Sequence, residues 1–117
     1  MRTIMIVDDD PQLCAALQFK FERAGYRVYA GNNGQDLLAE IRAQRPDMIL
    51  LDLVMPTMSG LEALKRLRAD PVPSSIPVLV VTAWDHEARC LKLDGMEVVA
   101  KPFSLRELAA RVEEYLA

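Results

Sequence analysis

Short apolar runs alternate along this chain with stretches in which apolar residues recur every three or four positions. The runs, rich in Val, Ile, Leu and Met, predict β-strands at 3–7, 26–30, 47–52, 77–82 and 98–100. One-face periodicity predicts amphipathic helices at 11–24, 34–44, 59–69 and 104–117, and a shorter one at 86–93. Strands alternating with helices predict an α/β fold, with a five-stranded, doubly wound parallel sheet covered on both faces.

Local signals agree with the predicted helix starts. Asp10 precedes Pro11, a pair typical of a helix cap followed by proline in the first turn. The sequences SGLE at 59–62 and SLRE at 104–107 fit the capping box, with serine at the cap and glutamate three residues later. Gly25 lies where the first helix should end.

Composition limits the class of protein. The 117 residues are 51% hydrophobic and 26% charged, so we expect one globular domain spanning 1–117. A net charge of −3 without a basic block argues against direct nucleic-acid binding. The apolar runs are too short to cross a membrane and no signal peptide is evident, so we expect a cytoplasmic protein. Cys14 and Cys90 lack metal-binding spacing and are interpreted as reduced thiols.

Polar residues follow four of the five predicted strands. They are Asp8–Asp10, Asp52, Thr82 and Lys101, whereas the second strand ends in AGNN. Ligands in open α/β sheets bind beyond the carboxyl ends of the strands, near the point where strand order reverses. If the second strand lies at an edge, the other four ends converge and bring carboxylates, a hydroxyl and an ammonium together.

These residue types suit phosphoryl chemistry on a carboxylate. Clustered carboxylates repel one another unless a cation lies among them, and Mg²⁺ binds through carboxylates, water and phosphate oxygens. Asp8, Asp9 and Asp52 are therefore candidate metal ligands. A carboxylate can take a phosphoryl group, whose oxygens Lys101 and the metal neutralise while Thr82 donates a hydrogen bond. Each residue alone also fits a purely structural role in a turn, a strand end or a helix cap.

The motifs carrying this chemistry resemble those of bacterial response-regulator receiver domains, the CheY-like modules of two-component signalling. They are VDDDP (7–11), DMILLDLVMPTMSG (47–60), VLVVTA (78–83) and KPF (101–103). The likeness covers essentially the whole chain. It implies a flavodoxin-like fold and a phosphorelay signalling module, not an enzyme, that receives a phosphoryl group from a histidine kinase or phosphotransfer protein. It also implies a downstream protein partner or a homodimer.

The resemblance implies a role for each polar residue. Asp52 resembles the phosphoacceptor. Asp8 and Asp9 resemble the acidic pair that holds Mg²⁺ together with Asp52 and the backbone carbonyl of Val54. Thr82 resembles the switch hydroxyl that moves toward the phosphoryl group. Lys101 resembles the residue that pairs with that group.

Three departures from the family pattern change what can be expected. Val98 stands where the family usually has an aromatic residue, so the resemblance does not extend to the usual ring-rotation switch. The segment 83–97 is short, which predicts a shortened fourth helix. Val54 and Trp84 flank the site as apolar residues where other members of the family often have polar ones. Pro102, which also flanks the site, instead follows the family pattern, because the family often has a cis peptide at the Lys101–Pro102 position. We hypothesise that Val54 and Trp84 hinder the attacking water and lengthen the phosphoaspartate lifetime.

Two other functions remain open from the residues. Val98 and the short 83–97 segment favour a receiver-like interaction module that works without phosphorylation. A metal-dependent phosphatase acting on external substrates is less favoured, since the sequence shows no residue pair for general acid–base turnover beyond the cluster itself. The first measurement that separates these functions is the phosphorylation of Asp52.

Overall fold

The computed structural model describes residues 2–31, 37–52, 65, 69, 76–83 and 96–116, and the structural statements below concern these residues. The strands are β1 (Thr3–Val7), β2 (Arg27–Gly31), β3 (Met48–Leu51), β4 (Val78–Thr82) and β5 (Met96–Ala100). The helices are α1 (Pro11–Arg23), α2 (Leu37–Gln44) and α3 (Leu105–Leu116).

The strands form one parallel sheet in the order β2-β1-β3-β4-β5. This confirms the predicted five-stranded α/β fold and puts β2 at an edge, as the convergence of the other four strand ends requires. The chain moves from β1 outward to β2 and then returns to β3 on the other side. Strand order therefore reverses between β1 and β3, which is where this class of sheet binds ligands.

Most predicted boundaries agree with the structure, but β5 begins earlier than expected. The sequence predicts it at 98–100, whereas the ladder with β4 extends to Met96, which pairs with Val78. Glu97 interrupts the apolar run, so the hydrophobic pattern does not predict the first two residues of the strand. A polar side chain is tolerated here because β5 is an edge strand. The helices predicted at 59–69 and 86–93, including the shortened fourth helix, lie outside the described residues apart from positions 65 and 69.

The two helix caps that can be compared with the structure are formed. The Asp10 carboxylate accepts hydrogen bonds from the backbone N–H of Gln12 at 3.0 Å and of Leu13 at 3.3 Å. The Ser104 hydroxyl accepts one from the N–H of Glu107 at 3.0 Å. Both caps satisfy N–H groups that the first turn of a helix otherwise leaves unpaired.

The core lies on both faces of the sheet. On one face, α1 and α3 pack their buried residues against alternate strand positions; this cluster contains Ile4, Ile6, Leu17, Phe21, Leu50, Leu108 and Val112. Met5 and Val7 point to the opposite face because side chains alternate along a strand, and they are equally buried. Within the described ranges, no helix combines the length and apolar character needed to cross a membrane.

Candidate functional site

The carboxyl ends of β1, β3, β4 and β5 bring four of the predicted site residues to one edge of the sheet. Asp8 directly follows β1, Asp52 follows β3, Thr82 ends β4 and Lys101 follows β5. Backbone hydrogen bonds continue one residue past the strands, from Asp52 N–H to the Val7 carbonyl at 3.0 Å and from Lys101 N–H to the Thr82 carbonyl at 2.9 Å. The sheet itself therefore fixes where Asp52 and Lys101 emerge.

Lys101 joins the two buried carboxylates of this edge. Its Nζ lies 2.8 Å from Oδ2 of Asp8 and 3.1 Å from Oδ2 of Asp52. The side chains of the aspartates are only 5% and 8% exposed, while that of Lys101 is 24% exposed. The single ammonium of Lys101 therefore pairs with two carboxylates that are almost completely buried.

The backbone around Asp8 further orients its carboxylate. Asp10 donates its backbone N–H to Oδ1 of Asp8 at 2.9 Å, so both oxygens of the carboxylate carry a hydrogen bond. The Cys14 thiol donates to the backbone carbonyl of Asp8 at 3.4 Å. Hydrogen bonds from the loop, from the first turn of α1 and from Lys101 therefore fix the position of Asp8.

Asp9 completes an acidic cluster that could hold a metal ion. One oxygen from each of Asp8, Asp9 and Asp52 lies within 4.8 Å of the others, and Asp9 is the exposed member. Three carboxylates against one described ammonium leave an excess of negative charge in a largely buried site. Since carboxylates are the ligands that hard divalent cations prefer, the donor set and its charge both fit such an ion.

The pKa values of two neighbouring groups are perturbed. Burial lowers the pKa of Lys101, but the hydrogen bonds and charges of Asp8 and Asp52 outweigh it and raise the pKa above its ordinary value. Burial, assisted by the charges of Asp8 and Asp10, raises the pKa of the Cys14 thiol to about 11. Lys101 is therefore a permanent cation at neutral pH, and Cys14 is a thiol of little nucleophilic character.

The other predicted site residues are placed as follows. Thr82 is fully buried and Val98 is 8% exposed in the middle of β5, opposite Val80 of β4. Pro102 is exposed and its peptide bond with Lys101 is cis. Val54 and Trp84 lie outside the described residues.

Sequence reasoning missed Cys14 as a neighbour of the site. It treats this residue only as a reduced thiol, and the structure shows a free buried cysteine in contact with Asp8. The available signal is its position just after the Asp10 cap, in the part of α1 nearest the strand ends.

Comparison with known proteins agrees with this geometry. The family model of the response regulator receiver domain matches residues 4–113. The alkaline phosphatase synthesis transcriptional regulatory protein PhoP of Bacillus subtilis is 36% identical over 98% of this chain and 48% of its own length. The phosphate regulon transcriptional regulatory protein PhoB of Pseudomonas aeruginosa is 38% identical over 98% of this chain and 52% of its own. The chain thus spans about half the length of these curated relatives.

A solved structure extends the likeness to the fold. The response regulator protein TrrA of Thermotoga maritima, in complex with Mg²⁺ and BeF, superposes with a TM-score of 0.85 at 28% identity, covering 98% of this chain and 99% of TrrA. Sheet order, strand-end chemistry and the family match lead to one conclusion. This chain belongs to the response regulator receiver domain family, the signalling modules of two-component systems.

Proposed function

We propose that residues 1–117 form a receiver domain that accepts a phosphoryl group on Asp52 in a reaction requiring Mg²⁺. The observation that carries this proposal is the placement of Asp52, whose buried carboxylate lies beside Asp8 and within 3.1 Å of Lys101. A buried carboxylate in a site with excess negative charge lowers the stability of the fold. Binding of a cation and a phosphoryl group at the site would account for such an arrangement.

The transfer needs few reacting groups. An oxygen of Asp52 attacks the phosphorus of a phosphohistidine in the donor kinase or phosphotransfer protein. The phosphorus–nitrogen bond breaks, its electron pair stays on the imidazole nitrogen, and an acyl phosphate forms on Asp52. Phosphoryl transfer depends mainly on positioning and on neutralising the phosphoryl oxygens, so this chain acts as an acceptor that contributes at most self-phosphorylation and autodephosphorylation.

Asp8, Asp9 and Asp52 would hold the Mg²⁺ ion, with the backbone carbonyl of Val54 as a further ligand. The bound ion supplies positive charge for the phosphoryl oxygens during transfer. Asp8 is already oriented for this role by the Asp10 N–H and by Lys101. The Mg²⁺–BeF complex of TrrA supports the assignment by similarity.

Phosphorylation would then change the surface near the last helix. The new group carries a charge of about −1.5 to −2, which attracts the Lys101 ammonium and the Thr82 hydroxyl. Lys101 belongs to the segment between β5 and α3, so its movement alters the surface formed by that helix. A change in affinity for a downstream protein, or for a second copy of the chain, is the proposed output.

Val98 favours a second candidate function. A buried valine stands in β5 where the family resemblance leads one to expect an aromatic side chain, so position 98 supplies no ring that could turn between two positions. The alternative is a receiver-like interaction module that keeps the site but binds its partner without phosphorylation.

The test is intact-protein mass spectrometry after incubation with acetyl phosphate. We expect a gain of one phosphoryl group that disappears with EDTA and in the Asp52→Asn variant. Asp47→Asn, at the opposite end of β3, is the matched control and should be phosphorylated like the parent protein. Phosphorylation of Asp52→Asn to the same extent would overturn the assignment. Absence of any gain, with both acetyl phosphate and a panel of histidine kinases as donors, would favour the phosphorylation-independent module.

A further inference from the structure

Strand β2 forms an open edge of the sheet. Among the described residues it pairs with β1 on one side and with no strand on the other. The Arg27 N–H donates to the Arg2 carbonyl at 2.8 Å, so it points toward β1. Because the backbone groups of successive residues alternate along a strand, those of Val28 and Ala30 point away from the sheet. The outer edge of β2 therefore presents N–H and C=O groups to which a further strand could bond.

One face of β2 is only partly covered. Val28 packs on the cluster beneath α1 and α3, so the alternation of side chains places Arg27 and Tyr29 on the opposite face. On that face the neighbouring Met5 of β1 is buried, whereas Tyr29 is 39% exposed and Arg27 is also exposed. Tyrosine and arginine are among the side chains that most often dominate the binding energy of protein interfaces.

Three arginines gather at the amino end of this edge. Arg23 ends α1 four residues before Arg27, and the backbone of Arg2 is bonded to that of Arg27. All three are exposed, and within the described part of the chain none forms an ion pair, although the whole chain carries a net charge of −3. The dipole of α1 stabilises Arg23 in its last turn, but a strand has only a small dipole. The charges of Arg2 and Arg27 are therefore not explained by their own elements.

Protection of the edge explains part of this charge. Charged side chains on an edge strand discourage pairing with other edges. The protection here has one sign, because the sequence RVYAG of β2 contains an arginine and no acidic residue. Such an edge repels a basic strand and attracts an acidic one. A second copy of β2 supplies no carboxylate for these arginines, so charge complementarity selects a different partner.

We propose that an extended acidic segment of a partner protein pairs with the outer edge of β2 as a sixth strand. The backbone of this segment would bond to the outward N–H and C=O groups of Val28 and Ala30. Its carboxylates would face Arg27 and the two neighbouring arginines, and one of its apolar side chains would cover Tyr29. The pairing adds a partner surface to the proposed function but does not depend on phosphorylation of Asp52.

The probe is the fluorescein-labelled peptide EEVTVTVEE-amide, in which a β-branched centre is flanked by glutamates. One matched peptide has lysine in place of every glutamate. A second has its five central residues N-methylated, which removes their N–H groups and keeps the charge. Fluorescence anisotropy at low ionic strength measures binding to the full chain. We expect saturable binding of the acidic peptide, affinity at least tenfold weaker for both matched peptides, and weaker binding of the acidic peptide as salt is added.

Variants locate the complex on β2. Arg27→Glu and Tyr29→Ala should each raise the Kd of the acidic peptide about tenfold. Arg106→Glu and Tyr115→Ala are matched controls on α3, where Tyr115 is 41% exposed, and should leave the Kd within about twofold. Ala30→Pro removes an N–H that points away from the sheet. Because an edge strand tolerates proline at such a position, we expect a folded protein with a Kd about tenfold higher.

Hydrogen exchange gives an independent readout of strand addition. With the acidic peptide bound, the amides of Val28 and Ala30 should exchange more slowly. Those of Arg27 and Tyr29 point toward β1 and should change little.

Three results would overturn the proposal: no saturable binding of the acidic peptide, equal binding of either matched peptide, or equal losses in the β2 and α3 variants. A dimer seen by sedimentation velocity and abolished by Ala30→Pro would also overturn it, since the occupant would then be a second copy. The Asp52→Asn variant should bind the acidic peptide normally, so failure of phosphorylation and failure of this surface are separately visible.

Discussion

Strand β3 carries an aspartate at each end, and the two have opposite roles. Asp47, just before the strand, is exposed; its Oδ2 accepts the Thr3 N–H at 2.8 Å, and its own N–H donates to the Thr3 carbonyl at 2.7 Å. Asp52, just after the strand, is 6% exposed and lies beside Asp8 and Lys101. The same residue type thus extends the strand ladder at the amino edge of the sheet and forms a charged cluster at the carboxyl edge.

The difference lies in what satisfies each carboxylate. The carboxylate of Asp47 accepts a hydrogen bond from a backbone N–H that the sheet holds in place, and water solvates the rest of this exposed carboxylate. Asp52 shares one ammonium with a second buried carboxylate, an arrangement in which desolvation offsets much of the attraction between opposite charges. The amino edge is consistent with a stabilising role, whereas the carboxyl edge retains charge at the expense of stability, as functional sites often do.

Removing the shared ammonium should show the largest effect. Lys101→Met leaves Asp8 and Asp52 buried without their described cation, and we expect the free energy of unfolding in EDTA to fall by about 2–3 kcal/mol. Urea denaturation measures this loss. Adding Mg²⁺ should recover part of it, and so should the double variant Asp52→Asn/Lys101→Met. An unchanged midpoint for Lys101→Met in EDTA would show that the shared ammonium contributes nothing to folding.

The second-largest effect should be a loss of stability at alkaline pH, caused by groups at the carboxyl edge of the sheet. The Cys14 thiol keeps its proton to about pH 11 in the folded protein but loses it near its ordinary pKa of 9.0 when unfolded. Unfolding therefore releases a proton between these values, and stability falls by roughly 2 kcal/mol as pH rises across them. The raised pKa of Lys101 acts in the same direction above its ordinary 10.5. Urea denaturation from pH 8 to 11 measures the slope, which should be shallower in Cys14→Ala; an equal slope contradicts this account.

At the amino edge, Asp47→Ala should have a smaller effect. Thr3 loses the acceptor of its N–H, and because Asp47 is exposed, water replaces much of the bond; we expect a loss of about 1 kcal/mol. Thermal or urea denaturation measures it, with Asp47→Asn as a control that keeps a side-chain oxygen. Phosphorylation by acetyl phosphate should not change, and a large decrease would mean that the two ends of β3 are coupled.

The smallest expected effect is a gain in stability at the end of α2. Arg45 follows this helix with a φ of 47°, the left-handed conformation that glycine adopts without steric cost. Arg45→Gly should therefore raise the free energy of unfolding by up to about 0.5 kcal/mol, the relief of strain being partly offset by the greater freedom of glycine in the unfolded chain. Equilibrium denaturation checks the sign, and any effect on phosphorylation would be unexpected.

The sequence predicts the carboxyl edge better than the amino edge. Asp8, Asp52, Thr82 and Lys101 each stand where an apolar run ends, and the parallel sheet brings such ends together whatever the details of packing. The Asp10 and Ser104 caps are predictable for the same reason, because a cap depends on residues a few positions apart.

Contacts between distant positions are not visible in the same way. The bond between Asp47 and Thr3 spans 44 positions and follows from the pairing of β1 with β3. The hydrogen bond from the Tyr115 hydroxyl to Oε2 of Glu97, at 2.7 Å, likewise depends on the packing of α3 against β5. Such pairs depend on register and helix orientation, which periodicity in a single sequence does not determine.

The backbone bonds that extend the strands past their ends have a consequence for hydrogen exchange. The amides of Asp52 and Lys101 belong to the same ladders as the buried strands, since they donate to the Val7 and Thr82 carbonyls. Amides bonded in this way exchange with solvent only when neighbouring strands separate. We therefore expect both amides to exchange as slowly as those of the core, with a protection factor that reports the opening of the whole sheet.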